Sequence, residues 1–245
     1  ENKLSRAVVF DDRVEWDSIT AALPTYLDDD GLLRYWPRER LKGSAELTAY
    51  VLSLSAAQQF PLPDAVKDRM IRAMQAVAEG RLNQRGYGGY DARAIRIAAL
   101  AALARNGAAN ANMVAAIDVA PTEMATSTLA DWLVILDKTA SVRNAANLRS
   151  AAMRDVRRRL VYEGTRLDLV DDRNAPWWMG VSRDEMAIKL LDALMGQSGW
   201  ADDEGRLMTG IAQRQIGGHW DSTPANAWGA IVVRRFAAQH PASAI

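Results

Sequence analysis

Four loops of the chain share one design. Each combines Gly, Asp or Pro with Tyr or Trp and runs directly into an apolar helical segment. They are DDDGLLRYWP ahead of Ser44, NQRGYGGY ahead of Asp91, DDRNAPWWMG ahead of Ser182 and GGHWD ahead of Ser222. Between these points lie further helical segments, mostly more polar, so the chain reads as a degenerate array of helical hairpins with a period of roughly 40 to 60 residues. A hairpin of this kind buries its apolar face only by stacking on its neighbours, which leads either to an open solenoid or to a closed ring. No polar capping repeat marks either end, and closure removes the need for one. The expectation is an all-α fold, an α/α toroid of inner and outer helices.

Apolar residues recur at helical spacing almost throughout. In SAELTAYVLSLSAAQQF, Leu47, Tyr50, Val51, Leu54 and Ala57 share a face, Ser44 is the N-cap, and Pro61 sets the limit. LPDAVKDRMIRAMQAVAEG continues with Val66, Met70, Ile71, Met74 and Val77 and stops at Gly80. Helices are also predicted over the segments that begin at Asp91, Pro121, Ser182, Ala201 and Ser222. SVRNAANLRSAAMRDVRRRLVYEG reads as one longer, more charged helix, and no strand pair is predicted. Aromatic residues ahead of inner helices gather at one end of such a ring, as core plugs or as the lining of a shallow pocket.

Composition removes several function classes. Lys plus Arg and Asp plus Glu are each 30, so no net field favours nucleic acid or an acidic ligand. The chain contains no cysteine, which excludes disulfides, thiolate metal sites and a cysteine nucleophile within these residues. No apolar run reaches the roughly 18 residues of a membrane span. The opening ENKLSR, without Met, is expected of a processed protein or of a domain excised from a longer one, and residues 1–245 read as a single domain.

The enzymatic signatures associated with toroids are weak here. Zinc of the prenyltransferase kind needs Cys and His, and only His219 and His240 are present. LDDDG (Asp28, Asp29, Asp30) and VDDRN (Asp171, Asp172) lack the full diphosphate-binding pattern and sit where Asp is expected as a turn residue. His219 is a candidate general base, set against a packing role at the ring mouth. A toroid lyase or hydrolase using Asp171, Asp172 and His219 is therefore one reading, with no paired-site spacing behind it. The stripe RDVRRRL (Arg154 to Leu160) reads as a solvated outer face.

Three ordered segments carry a family resemblance. GLLRYWPRERLKGSAELTAYVLSLSAAQQFPLP, GGYDARAIRIAALAALARNG and GGHWDSTPANAWGAIVVRRF resemble successive segments of the thioester domain of bacterial alpha-2-macroglobulins, the superfamily that also contains complement components. In the last, the matching residues are Trp220, Ser222, Thr223, Asn226, Ala227 and Trp228. The resemblance spans almost the whole chain and implies an α/α toroid, an architecture also reached above from the hairpin pattern.

It further implies a Cys-x-Glu-Gln motif followed by Thr-Thr-Ser-Arg, in which Cys and Gln form an internal thioester that captures a protease after bait cleavage. Set against Glu-Gln-Thr-Thr-Ser-Arg, the opening residues match at Glu1, Ser5 and Arg6, Asn2 replaces Gln, and Lys3 replaces a small hydroxyl residue. Asn is one methylene shorter than Gln and changes the size of the macrocycle. The resemblance thus implies a non-enzymatic, cofactor-free domain of a periplasmic, protease-trapping or envelope-defence protein without a working thioester. Proteases are the implied targets, and neighbouring macroglobulin domains or other envelope proteins the implied partners. The expected interaction surface is Tyr35, Trp36, Tyr87, Tyr90, Trp177, Trp178, His219 and Trp220. A competing expectation is an active thioester with its Cys upstream of Glu1.

Overall fold

The computed structural model describes residues 1–82, 89–170 and 179–241, with only the backbone described for residues 89–91. Among these residues the chain is all-α apart from one short hairpin. The helices are α1 (Asn2–Val9), α2 (Arg13–Thr20), α3 (Ala45–Gln58), α4 (Asp64–Ala78), α5 (Gly89–Arg105), α6 (Ala111–Ala115), α7 (Thr126–Lys138), α8 (Ala145–Arg158), α9 (Arg183–Leu194), α10 (Ala201–Gln213) and α11 (Thr223–Gln239).

Local sequence explains where the helices start and stop. The Ser44, Ser182 and Ser222 hydroxyls accept hydrogen bonds from the backbone N–H groups of Leu47, Glu185 and Ala225, so each serine is the N-cap that its position predicts. α3 ends as Gln59 turns to a φ of 60° ahead of Pro61. α7 starts at Thr126, later than Pro121, because Pro121–Glu123 forms a separate 3-10 turn.

The helices pack in a circuit: α3 lies against α5, α5 against α7, α7 against α9, α9 against α11, and α11 against α3. α4, α8, α10 and α1 cover the outside, against α5, α7, α9 and α11 respectively. Burial follows this division. Every residue of α7 from Thr126 to Leu136 is buried, whereas α8 buries only Ala152, Asp155 and Val156. A helix enclosed on all sides needs apolar residues all round, while a covering helix needs one stripe.

One expectation is corrected. The charged helix does not run to Gly164; α8 stops at Arg158, and β1 (Leu160–Glu163) pairs antiparallel with β2 (Arg166–Leu169). Alternation in RLDL buries Leu167 and Leu169, and Gly164 takes a φ of 62° in the tight turn. β2 packs on α10. In the basic stripe Arg154, Arg157 and Arg158 are exposed, as an outer face requires; Arg157 also pairs with Asp203 and stacks 3.6 Å over Trp200, and Arg159, just beyond α8, pairs with Asp155.

Candidate functional site

The N-terminal ends of α3, α7, α9 and α11 converge on a cavity of about 210 Å³ that Glu1 also lines. Its polar wall is built from Glu46 and Tyr50 of α3, Asp131 of α7, and Glu185 and Lys189 of α9. Pro224 and Trp228 of α11 and Met179 add apolar surface. Lys189 Nζ donates to Asp131 Oδ2 at 2.9 Å, with both side chains largely buried. Glu185 is 4% exposed. Burial pushes its carboxyl from the ordinary 4.5 up to about 7, with Lys189 pulling down and Asp131 pushing up. Burial likewise raises the Tyr50 phenol, whose oxygen lies 2.8 Å from Ser5 Oγ.

The residues at the motif-like opening divide between two environments. Ser5 is fully buried, and its hydroxyl donates to the Glu1 carbonyl at 3.0 Å. Glu1 thus lies at the cavity rim, tied to α3 through Ser5 and Tyr50. Asn2 lines instead a neighbouring groove of about 480 Å³, between α1, α2 and the Leu33–Trp36 segment. Arg6 points outward, 3.1 Å from Glu15.

Of the aromatic surface expected from sequence, Tyr35 and Trp36 are exposed at 54% and 64%, with ring centroids 6.0 Å apart, beside the same groove. His219 is exposed on a turn, its Nδ1 3.0 Å from the Trp220 carbonyl. Trp220 is a correction: it is a core residue, not surface. It is 7% exposed, its indole N–H donates to the Ile211 carbonyl at 2.9 Å, and its ring lies against Gly229. Tyr87, Asp171, Asp172, Trp177 and Trp178 and the side chain of Tyr90 lie outside the described residues. Asp28 is the turn residue that its setting predicts, accepting from the Leu32 and Gly43 backbones at 2.9 and 2.8 Å. Among the described residues, no group of three His, Asp or Glu side chains is placed to hold a metal ion, and no helix is long and apolar enough to cross a membrane.

Reading the loops for aromatics misses the charged cavity wall. Asp131, Glu185 and Lys189 carry a signal of a different kind: charges in segments such as TSTLADWLVILDK and EMAIKLLDAL, where apolar residues fill the other faces. A charge on a helix enclosed on all sides has to face a cavity or a partner.

No protein-family model and no curated protein matches the chain. Solved structures do. Native alpha-2-macroglobulin of Escherichia coli superposes with a TM-score of 0.67 at 18% identity, over 91% of this chain and 14% of that one. The E. coli protein activated by porcine elastase gives 0.68 at 18% identity, over 92% of this chain and 20% of that one. Salmonella alpha-2-macroglobulin reacted with methylamine gives 0.67 at 17% identity, over 91% and 14%. At this identity the likeness is one of fold. The chain spans about a seventh of the first of these proteins.

Proposed function

We propose that this chain is the thioester-type domain of a bacterial alpha-2-macroglobulin-like protein, and that it works there without a functional thioester. The observation that carries the proposal is the position of the opening residues. The segment that resembles the thioester motif lies at the rim of a cavity formed by the N-terminal ends of four helices, in a fold shared with alpha-2-macroglobulins. Asn2 stands where the family has Gln and faces the neighbouring groove rather than this cavity. Lys3 adds an amine one residue further on, a poor companion for a stored acyl donor.

In this reading the domain is not an enzyme. The parent protein is periplasmic and encloses proteases by rearranging its shell, and the domain contributes noncovalent contacts. Tyr35 and Trp36, exposed beside the groove, face a neighbouring domain or an envelope partner. Aromatic side chains with free faces are the usual anchors of such contacts.

A trapping assay tests the function. The parent protein is mixed with trypsin, and hydrolysis of a small chromogenic peptide is compared with that of casein. Enclosure predicts that the small peptide is still cleaved while casein is protected. Equal cleavage of both at stoichiometric parent protein rules out a trap.

A further inference from the structure

A further pocket, of about 520 Å³, opens at the opposite end of the helical circuit, where α3, α5 and α7 finish. Arg105, Lys138, Arg234 and Arg235 line it, with Asp11 as the one acidic lining residue. Cations are expected at helix C-termini, where they offset the dipole and cap free carbonyls, so what matters is whether these four are used up in that way.

Backbone groups already serve carbonyls of the last turns. The Phe60 N–H reaches the Ser55 carbonyl at 3.1 Å, that of Ala108 the Leu103 carbonyl at 2.8 Å, and that of Thr139 the Ile135 carbonyl at 3.0 Å. Of the four cations, Arg234 is committed: its Nη2 donates to the Val8 carbonyl at 2.9 Å and to Gln58 Oε1 at 2.8 Å.

Arg105 and Arg235 share a single carboxylate. Arg105 Nη2 lies 2.8 Å from Asp192 Oδ2, Arg235 pairs with the other oxygen, and the Asp192 side chain is 1% exposed. One carboxylate between two guanidiniums leaves a positive charge over. Lys138 is exposed and, among the described residues, its ammonium has no hydrogen-bond partner. Even with Asp11 counted, the pocket keeps an excess of two positive charges, presented from α5, α7 and α11.

We propose that this pocket binds a phosphate monoester, carried by a small molecule or displayed on a lipid headgroup. Lys138 of α7 and Arg235 of α11 present charged donors at the pocket surface, with Arg105 of α5 held behind them on Asp192 and Trp228; donors converging from different helices suit a tetrahedral dianion, whereas a planar carboxylate takes its donors in one plane. The excess has the sign that the dianion requires, and part of it offsets the dipoles of the three helix ends. The site is separate from the Glu1 cavity and does not depend on the family assignment.

The test titrates inorganic phosphate and glycerol 3-phosphate into the full chain at low salt, followed by calorimetry and by the indole resonance of Trp228, over which Arg105 stacks at 4.9 Å. Acetate at equal ionic strength is the comparison. Saturable binding of phosphate but not acetate is expected, weakened about tenfold or more in Lys138→Gln/Arg235→Gln. Arg105 is kept in this variant so that Asp192 stays paired, and the single exposed change Lys138→Gln gives a second reading if the double variant unfolds. Flotation with phosphatidic acid vesicles, against phosphatidylcholine, separates the two sources: glycerol 3-phosphate alone binds if the ligand is soluble, and vesicle binding in addition marks a headgroup. Equal response to acetate, no saturation, or unchanged affinity in both variants overturns the proposal.

Discussion

Asp184 and Asp221 cap each other's backbones. The Asp221 N–H donates to Asp184 Oδ2 at 3.0 Å, and the Asp184 N–H to Asp221 Oδ2 at 3.4 Å. The neighbouring hydroxyls of Ser182 and Ser222 meet at 2.9 Å. The starts of α9 and α11 are thereby fastened together beside the Glu1 cavity. Removing one cap by Asp221→Ala is expected to cost about 1 kcal/mol, the ordinary worth of such a bond. Hydrogen exchange at the Asp184 amide should speed up in that variant, and an unchanged exchange rate means that the pairing does not hold the two helix starts.

Glu185 gives the stability a pH dependence. Its folded pKa of about 7 lies above the ordinary 4.5, so the folded chain holds the proton more tightly than the unfolded chain. The stabilising effect of that proton is present below pH 4.5 and is lost as the pH rises to about 7. The difference corresponds to about 3 kcal/mol as an order of magnitude. Glu185→Gln, which stays neutral, should match the native chain in urea unfolding at pH 4.5 and exceed its stability at pH 8. Equal stability at both values means that the carboxylate is not held in a desolvated site.

Trp220 and Gly229 are in close contact. A Cβ built on Gly229 would lie 2.2 Å from Trp220 Cζ3, so even the smallest side chain at position 229 must displace the indole ring. Gly229→Ala should destabilise the chain by about 1–3 kcal/mol through overpacking, read as a lowered Tm and altered fluorescence. A variant with native Tm contradicts the packing described.

Tyr35 and Trp36 lie at the other extreme. Replacing both with Ala should leave the stability of the chain within about 0.5 kcal/mol, as at exposed positions generally. In the parent protein the same change should increase protease sensitivity at domain junctions. Unchanged proteolysis, hydrodynamic size and partner binding together remove these two residues from any interface.

Three helix starts are legible because a capping serine followed by apolar periodicity has a single local solution, at Ser44, Ser182 and Ser222. The hairpin is not, because LVYEGTRLDL follows a long charged helix and its alternation covers only a few residues on each side of Gly164. Trp220 is hidden from the sequence for a related reason: an aromatic beside glycines reads as a loop residue, and only Gly229, nine positions later on α11, makes room for its ring. The charges on α7 and α9 were visible as residues but not as a site, because which face of an enclosed helix meets a cavity is set by its neighbours rather than by its own sequence.

The central claim is that a thioester-type fold works here without the thioester. Intact mass of the parent protein before and after methylamine, with free-thiol titration alongside, tests it most directly. The account predicts an unchanged mass and no released thiol. A gain of one methylamine together with one new thiol would contradict it, and would mean that a reactive acyl bond forms at the cavity rim despite Asn2.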